Sequence, residues 1–380
     1  MKVLVLIDSF KGCLSSVQAG EAARAGLLDA GLRPEDIQVF PVSDGGEGFC
    51  AAVAAALPQA REVRVRACGP LGDPLETAYL IADSDGVRTA FLESASVCGY
   101  GLVPADRRNP LHTTSFGLGL LLREAAAAGA QRIVVGLGGT ATCDGGAGML
   151  QALGMRFLDA SGVPYAPGTP LLLKDIAALD AAGFRLPGVP VEGWSDTEAV
   201  FCGPAGAVRI FGAQKGLPAE LAADADAWMA RLAGLYESCG IAGARSVAGA
   251  GAAGGIGGAL AALAGAPLRS GAAALLRLAG LDDALAAADL VLTGEGRFDA
   301  QTATGKLPAR VLTAAHRSGA APCVVCLAGS VDAAAVPGSG FDAVIPVTPP
   351  DMPLTEALRP ETAAALLRAA ARSCASDFSE

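Results

Sequence analysis

Short apolar runs, each ending in a cluster of glycine, aspartate or other turn residues, constrain this chain most. V-L-V-L-I at 3–7 ends at D-S-F-K-G, and the run at 37–42 ends at S-D-G-G-E-G. Toward the C-terminus, L-V-L at 290–292 ends at T-G-E-G, the run at 323–327 at A-G-S, and that at 344–347 at T-P-P. Helical stretches such as 19–28 separate these runs. Short apolar strands alternating with helices predict a parallel sheet covered on both faces. In such sheets ligands collect outside the carboxyl ends of the strands, and the Gly/Asp clusters fall there.

The middle of the chain differs. Residues 61–79 contain R-E-V-R-V-R, then G-P-L-G-D-P-L, then E-T-A-Y-L. Alternation and turn residues predict antiparallel strands. A further sheet-and-helix region runs through 132–135, with its own loop G-L-G-G-T-A-T-C-D-G-G-A-G. The expected fold class is α/β: a doubly wound, Rossmann-like parallel-sheet domain interrupted by a second, inserted α/β domain. Residues 1–65 and 285–380 would form the first domain and 66–284 the second.

Composition removes several functions. The 380 residues carry a formal net charge of −10, which argues against nucleic acid as a partner, because phosphate backbones select basic surfaces. The N-terminus turns polar after a few apolar residues and lacks a cleavage-type site, so no signal peptide is expected. The longest uncharged run, between Arg245 and Arg269, is broken by glycines; no membrane span is expected. Cys323 and Cys326 have redox spacing but sit three apart in a strand-like run, facing opposite sides, and read as buried thiols. The cytoplasm is the expected compartment. His112 and His316 pair with no Cys or acid at ligand spacing, so a zinc site is not expected.

Residues 293–306, T-G-E-G-R-F-D-A-Q-T-A-T-G-K, end in the Gly-Lys of a P-loop but fail that motif at both ends: Ala300 stands where glycine is required, and Leu307 follows the lysine. What remains is a loop after a strand, with Glu295 and Asp299 four apart and Lys306 beyond. Such carboxylates could hold Mg²⁺ beside phosphate, with Lys306 as a point charge. Equally, they could serve a helix start. Lys11, among Ser9, Ser15 and Ser16 at a strand-to-helix turn, suits an anion, and a serine there also suits an N-cap. Asp44-Gly-Gly-Glu-Gly and Asp144-Gly-Gly-Ala-Gly each follow a strand, open a helix and would present helix N-terminal N–H groups; tight turns alone would also require their glycines. Arg108, Asn109, Thr113, Thr114 and Ser115 form a polar cluster that suits a small carboxylate or a capped helix start. Asp196, in W-S-D-T-E-A-V-F, reads as a general base or a turn residue. Together these features suggest phosphoryl transfer, which needs positioning and charge neutralisation more than a special nucleophile.

The ordered set of motifs resembles the bacterial glycerate kinase family, distinct from P-loop kinases. The set comprises D-S-F-K-G at 8–12, S-D-G-G-E-G at 43–48, G-P-L-G-D-P at 69–74, R-N-P at 108–110 and T-T-S at 113–115. It continues with G-L-G-G-T-A-T-C-D-G-G at 136–146, F-G-A-Q-K-G at 211–216, G-A-G-A-A-G-G at 249–255 and the stretch at 293–306. The resemblance implies ATP-dependent phosphorylation of D-glycerate, usually to 2-phosphoglycerate, and a cleft between the two domains. It makes Lys11, Asp44, Asp144, Asp196, Glu295, Asp299 and Lys306 cleft residues. With it, Asp196 is the expected base, Lys11 and Lys306 neutralise phosphate, and Glu295 and Asp299 lie near Mg²⁺. Arg108, Asn109, Thr113, Thr114, Asp44 and Asp144 are the expected substrate contacts. Gly45, Gly46, Gly138, Gly139, Gly254, Gly255 and Gly294 are the expected nucleotide contacts.

The chain departs from the family pattern in three places. The usual S-D-V-x-N-P-L reads S-D-T-E-A-V-F at 195–201, Thr140 and Cys143 replace Ser and Asn, and S-F-G-L-G-L at 115–120 replaces S-Y-G-T-G-E. These departures leave open a kinase of another short hydroxy acid, or a non-catalytic protein that binds glycerate or nucleotide. The oligomeric state is not set by the sequence.

Overall fold

The apolar run at the N-terminus forms the strand Val3–Ile7, every residue of it buried. It lies between Leu290–Phe298 and Ile37–Val39, and the sheet continues through Cys323–Val331 to Ala343–Pro346, all strands parallel. Helices cover it: Ser16–Asp29 packs against Pro360–Asp377 on one side, and Leu307–Arg317 packs against Leu290–Phe298. Fully burying each of the Val, Leu and Ile side chains in the first strand contributes roughly 1.5–3 kcal/mol. The computed structural model describes residues 1–377 except Ala242, Ser246, Ala266 and Thr304; Thr304 is the one residue of the 293–306 motif outside the description.

Numbered within this unit, the strand order is 2-1-3-4-5, the doubly wound order. The order in which strands are added reverses between Val3–Ile7 and Leu290–Phe298, so the loops after those two parallel strands lie at a topological switch point. One expectation fails here. Residues 293–298 are strand, not loop, because Cys323–Val331 supplies a ladder partner as far as Phe298↔Val331. Gly294 permits this approach: a Cβ there would stand 2.2 Å from the Leu327 carbonyl oxygen. The expected strand at 37–42 is shorter than its apolar run, ending at Val39.

The chain forms two compact units. The first is Met1–Asp44 with Ala51–Pro58 and Gly271–Glu380; the second is Gly45–Cys50 with Gln59–Ser270. Against the expected divisions at 65/66 and 284/285, the strand Arg61–Cys68 lies wholly in the second unit, because its ladder is with Pro74–Ser84. The helices Gly271–Leu278 and Asp282–Ala287 join the first unit by packing on Leu307–Arg317.

The second unit holds a mixed sheet in the order Leu268–Arg269, Val191–Trp194, Arg132–Gly136, Val87–Glu93, Pro74–Ser84, Arg61–Cys68. The first four are parallel; Pro74–Ser84 is antiparallel to both neighbours. Leu118 and Leu121 of the helix Phe116–Ala127 pack into one core with Leu92 and Val135 of the sheet. A separate small sheet pairs Arg156–Leu158 with Ala178–Asp180.

Candidate active site

In the first unit the switch point gathers charge. Asp8 N–H donates to the Gly294 carbonyl at 3.0 Å, joining the ends of the two strands. Ser16 Oγ donates to the Ile7 carbonyl at 2.6 Å and accepts from Val42 N–H at 2.9 Å, which draws the segment leading to Asp44 toward the same end. Ser15 is the N-cap of the helix Ser16–Asp29, in a capping box with Gln18. Lys11 Nζ lies 3.7 Å from Asp44 Oδ2. Lys306 Nζ lies 3.6 Å from Glu295 Oε2 and 3.3 Å from Asp299 Oδ1. The sequence-predicted Lys11, Asp44, Glu295, Asp299 and Lys306 are thus paired at one end of one sheet.

Burial, then the Asp44 carboxylate, pushes the Asp8 carboxyl well above its ordinary range, while Lys11 opposes. The Asp44 carboxylate chiefly raises the pKa of the Lys11 ammonium. Burial lifts the Glu295 carboxyl, and Lys306 opposes. Glu295 Oε1 is buried and has no hydrogen-bond partner among the described residues, an arrangement that costs free energy unless a ligand meets it. No group of three or more His, Cys, Asp or Glu side chains placed to hold a metal ion occurs among the described residues. Mg²⁺ does not require one: it uses one or two carboxylates and completes its shell with water and phosphate oxygens. An unmatched carboxylate oxygen beside a lysine fits that cation.

The two Asp-Gly-Gly loops do not present open helix N-termini as expected. Glu93 fills the first: its Oε1 accepts from Gly48 N–H at 3.0 Å and its Oε2 from Cys50 N–H at 2.9 Å. Asp144 fills the second from within, accepting from Gly146 N–H at 3.0 Å and Gly148 N–H at 3.1 Å. Its Oδ2 also accepts from Ser115 N–H at 2.8 Å and Ser115 Oγ at 2.7 Å. Asp144 is 2% exposed, so its carboxylate ties the helix Ala147–Ala152 to the start of Phe116–Ala127.

The polar cluster at 108–115 turns mostly inward. Thr113 Oγ1 donates to the Pro110 and Ala141 carbonyls, and Thr114 Oγ1 accepts from Phe116 N–H; both threonines are buried. Asn109 Oδ1 accepts from Leu111 N–H, closing a turn. Arg108 stacks over the Tyr100 ring at 3.9 Å, and donates to Tyr100 Oη at 2.9 Å and the Val103 carbonyl at 3.2 Å. Asp196 follows the strand Val191–Trp194 and is half-buried; Ser270 Oγ, just past Leu268–Arg269, donates to its Oδ1. Two of the departures, Cys143 and Leu118, are fully buried core residues.

The glycines sit where backbones meet. A Cβ on Gly138 would lie 2.6 Å from Gly46 Cα, one on Gly45 2.2 Å from the Trp194 carbonyl oxygen, and one on Gly139 3.2 Å from the Ala95 Cβ. A Cβ on Gly255 would lie 2.8 Å from Gly145 Cα. At Gly254 the demand is sharpest: φ is +72°, and a Cβ would stand 1.9 Å from the Thr142 carbonyl oxygen. Gly254→Ala is expected to destabilise the fold by about 2–4 kcal/mol, from a left-handed non-glycine residue plus overpacking. An unchanged urea midpoint would refute this.

Two residues carry more than the sequence suggested. Asp8 is buried at the centre of the first unit's charge cluster, yet an Asp after a strand reads as a turn. Lys215 is 5% exposed and donates to Thr140 Oγ1 at 3.1 Å and the Thr142 carbonyl at 2.7 Å, and burial lowers its pKa. Its only sequence signal is the Q-K-G that closes an apolar segment.

The glycerate kinase family model matches residues 3–379. A glycerate kinase of Bacillus subtilis (strain 168) is 40% identical over 382 residues, spanning 100% of this chain and 98% of the relative. A glycerate 2-kinase of Escherichia coli (strain K12) is 38% identical over 365 residues, 94% of this chain and 93% of the relative. The crystal structure of a candidate glycerate kinase 2 from Salmonella typhimurium LT2 matches with a TM-score of 0.73 and 38% identity, covering 100% of this chain and 98% of the other. Likeness of sequence and fold over the full chain makes this protein a kinase, a member of the glycerate kinase family.

Proposed function

We propose that this kinase transfers the terminal phosphoryl group of ATP to D-glycerate, giving 2-phospho-D-glycerate and ADP. The observation that carries the reading is the switch-point cluster, where Lys11 and Lys306 stand beside Asp44, Glu295 and Asp299. Phosphoryl transfer is catalysed by positioning and by neutralising phosphate charge, and two ammonium groups at strand ends provide both. Mg²⁺, when bound with ATP, would neutralise further phosphate charge; Glu295, through its unpaired Oε1, and Asp299 would hold it. The names of the relatives supply the acceptor: they are glycerate kinases.

In this reading Asp196, whose Oδ1 accepts from the Ser270 hydroxyl, takes the proton of the glycerate hydroxyl. Arg108 binds the substrate carboxylate, since its contacts to Tyr100 and Val103 engage two of its five N–H donors. The cytoplasm, where ATP is abundant, is the proposed compartment; no helix among the described residues is long and apolar enough to cross a membrane.

Phosphorus NMR of the protein with Mg-ATP and D-glycerate tests the reaction. A phosphomonoester signal of 2-phosphoglycerate growing in step with ADP supports it. ATP binding with no phosphoglycerate overturns it, and a panel of short hydroxy acids then identifies another acceptor. Asp196→Asn is expected to lower kcat by at least about 10²-fold, the lower end of general-base catalysis, while sparing ATP binding. Near-normal turnover would remove Asp196 from that role.

A further inference from the structure

The sheet of the second unit ends at the strand Arg61–Cys68, which pairs with Pro74–Ser84 on one side and with no strand among the described residues on the other. Its residues alternate cleanly. Val63, Val65 and Ala67 pack on the core, whereas Glu62, Arg64 and Arg66 stand on the opposite face with side chains 55%, 88% and 90% exposed. The ladder to Pro74–Ser84 runs from Arg61↔Ile81 to Cys68↔Pro74 without a bulge, and Arg61–Cys68 contains no proline. Such an edge offers a row of N–H and C=O groups to another strand. Charged residues normally guard an edge against pairing. Here their signs make it complementary to itself.

Two copies related by a two-fold axis perpendicular to the sheet would pair this strand antiparallel, each residue opposite one of the same face. Few registers are then possible. Centred on Glu62, the strand would set Glu62 against its own copy; centred on Arg64, it would set Arg64 against itself. Centred on Val65, it would set Arg64 against Arg66. Centred on Val63, it sets Glu62 opposite Arg64 of the second copy, twice, and Val63 opposite Val63. That register alone gives opposite-charge pairs with no like-charge pair directly across. Within one chain Arg64 Nε already lies 3.0 Å from Glu62 Oε1, so the paired copies would close a ring of four alternating charges. Arg66, held by Glu76 at 3.6 Å, stays outside it.

We propose that two copies of this chain associate edge to edge through Arg61–Cys68, centred on Val63, so that one sheet runs through both. The test is sedimentation velocity of the full chain at physiological salt, with variants whose thermal melting matches the parent. The parent is expected to be a dimer. Glu62→Arg places Arg opposite Arg twice and Arg64→Glu places Glu opposite Glu twice, so each is expected to weaken the dimer at least about tenfold. Mixing the two variants restores opposite charges at both pairs and is expected to restore a heterodimer. A monomeric parent would overturn the proposal. So would a dimer indifferent to both variants, or a mixture that stays monomeric.

Discussion

Lys306→Ala is expected to lower kcat with ATP and D-glycerate by about 10²–10³-fold, the range seen when one preorganised charge-stabilising donor is removed. Lys306 stands immediately before the helix Leu307–Arg317, and its ammonium group lies between Glu295 Oε2 at 3.6 Å and Asp299 Oδ1 at 3.3 Å. It has three donors, so two carboxylates leave one direction for a phosphate oxygen. Truncation removes that contact and also takes away the ammonium charge that offsets the Glu295 and Asp299 carboxylates. The side chain is about one-third exposed, so the change should act on turnover more than on folding. Lys306→Arg keeps the charge but replaces a compact ammonium with a planar fork, and partial recovery is expected. Steady-state kinetics with a thermal melt of each variant separates the cases. A variant that melts normally and turns over normally would exclude Lys306 from phosphate neutralisation.

The parallel sheet was legible because its strands are apolar without alternation, as strands buried on both faces must be. The antiparallel pair at 61–79 was legible for the opposite reason: one face of Arg61–Cys68 is wet. Strand length was not legible. G-E-G-R at 294–297 reads as loop, and only the neighbouring Cys323–Val331 ladder makes it strand. The same holds for the site. Lys11, Glu295 and Lys306 are legible as charges near strand ends in a chain poor in charge. The partners of the helix N-termini could not, because Glu93 reaches Gly48 and Cys50 from more than 40 residues away. Local sequence offers an N–H group to any anion, and tertiary packing decides whether the protein itself supplies it. Asp8 is illegible for a related reason: what distinguishes it from a turn aspartate is burial beside Asp44 and Lys11, which no local pattern encodes.

Asp144→Ala is expected to destabilise the protein by about 3–5 kcal/mol, the scale for removing one partner of a buried charged interaction. Four donors converge on this carboxylate: Ser115 N–H, Ser115 Oγ and Gly148 N–H on Oδ2, and Gly146 N–H on Oδ1. Alanine leaves three buried backbone N–H groups unmatched, each costing about 1–3 kcal/mol. It also frees Ser115 Oγ, which accepts from Met149 N–H at 2.9 Å. Asp144→Asn is expected to lose less. Its single oxygen can serve the Oδ2 donors, but its NH₂ group then faces Gly146 N–H, donor against donor. The urea midpoint gives the stability change, and KM for D-glycerate, corrected for the folded fraction, gives the role. A large loss of stability with unchanged KM assigns Asp144 to holding Phe116–Ala127 against Ala147–Ala152. A raised KM with unchanged stability would instead put the carboxylate in contact with substrate, against four hydrogen bonds that leave it little capacity to accept more.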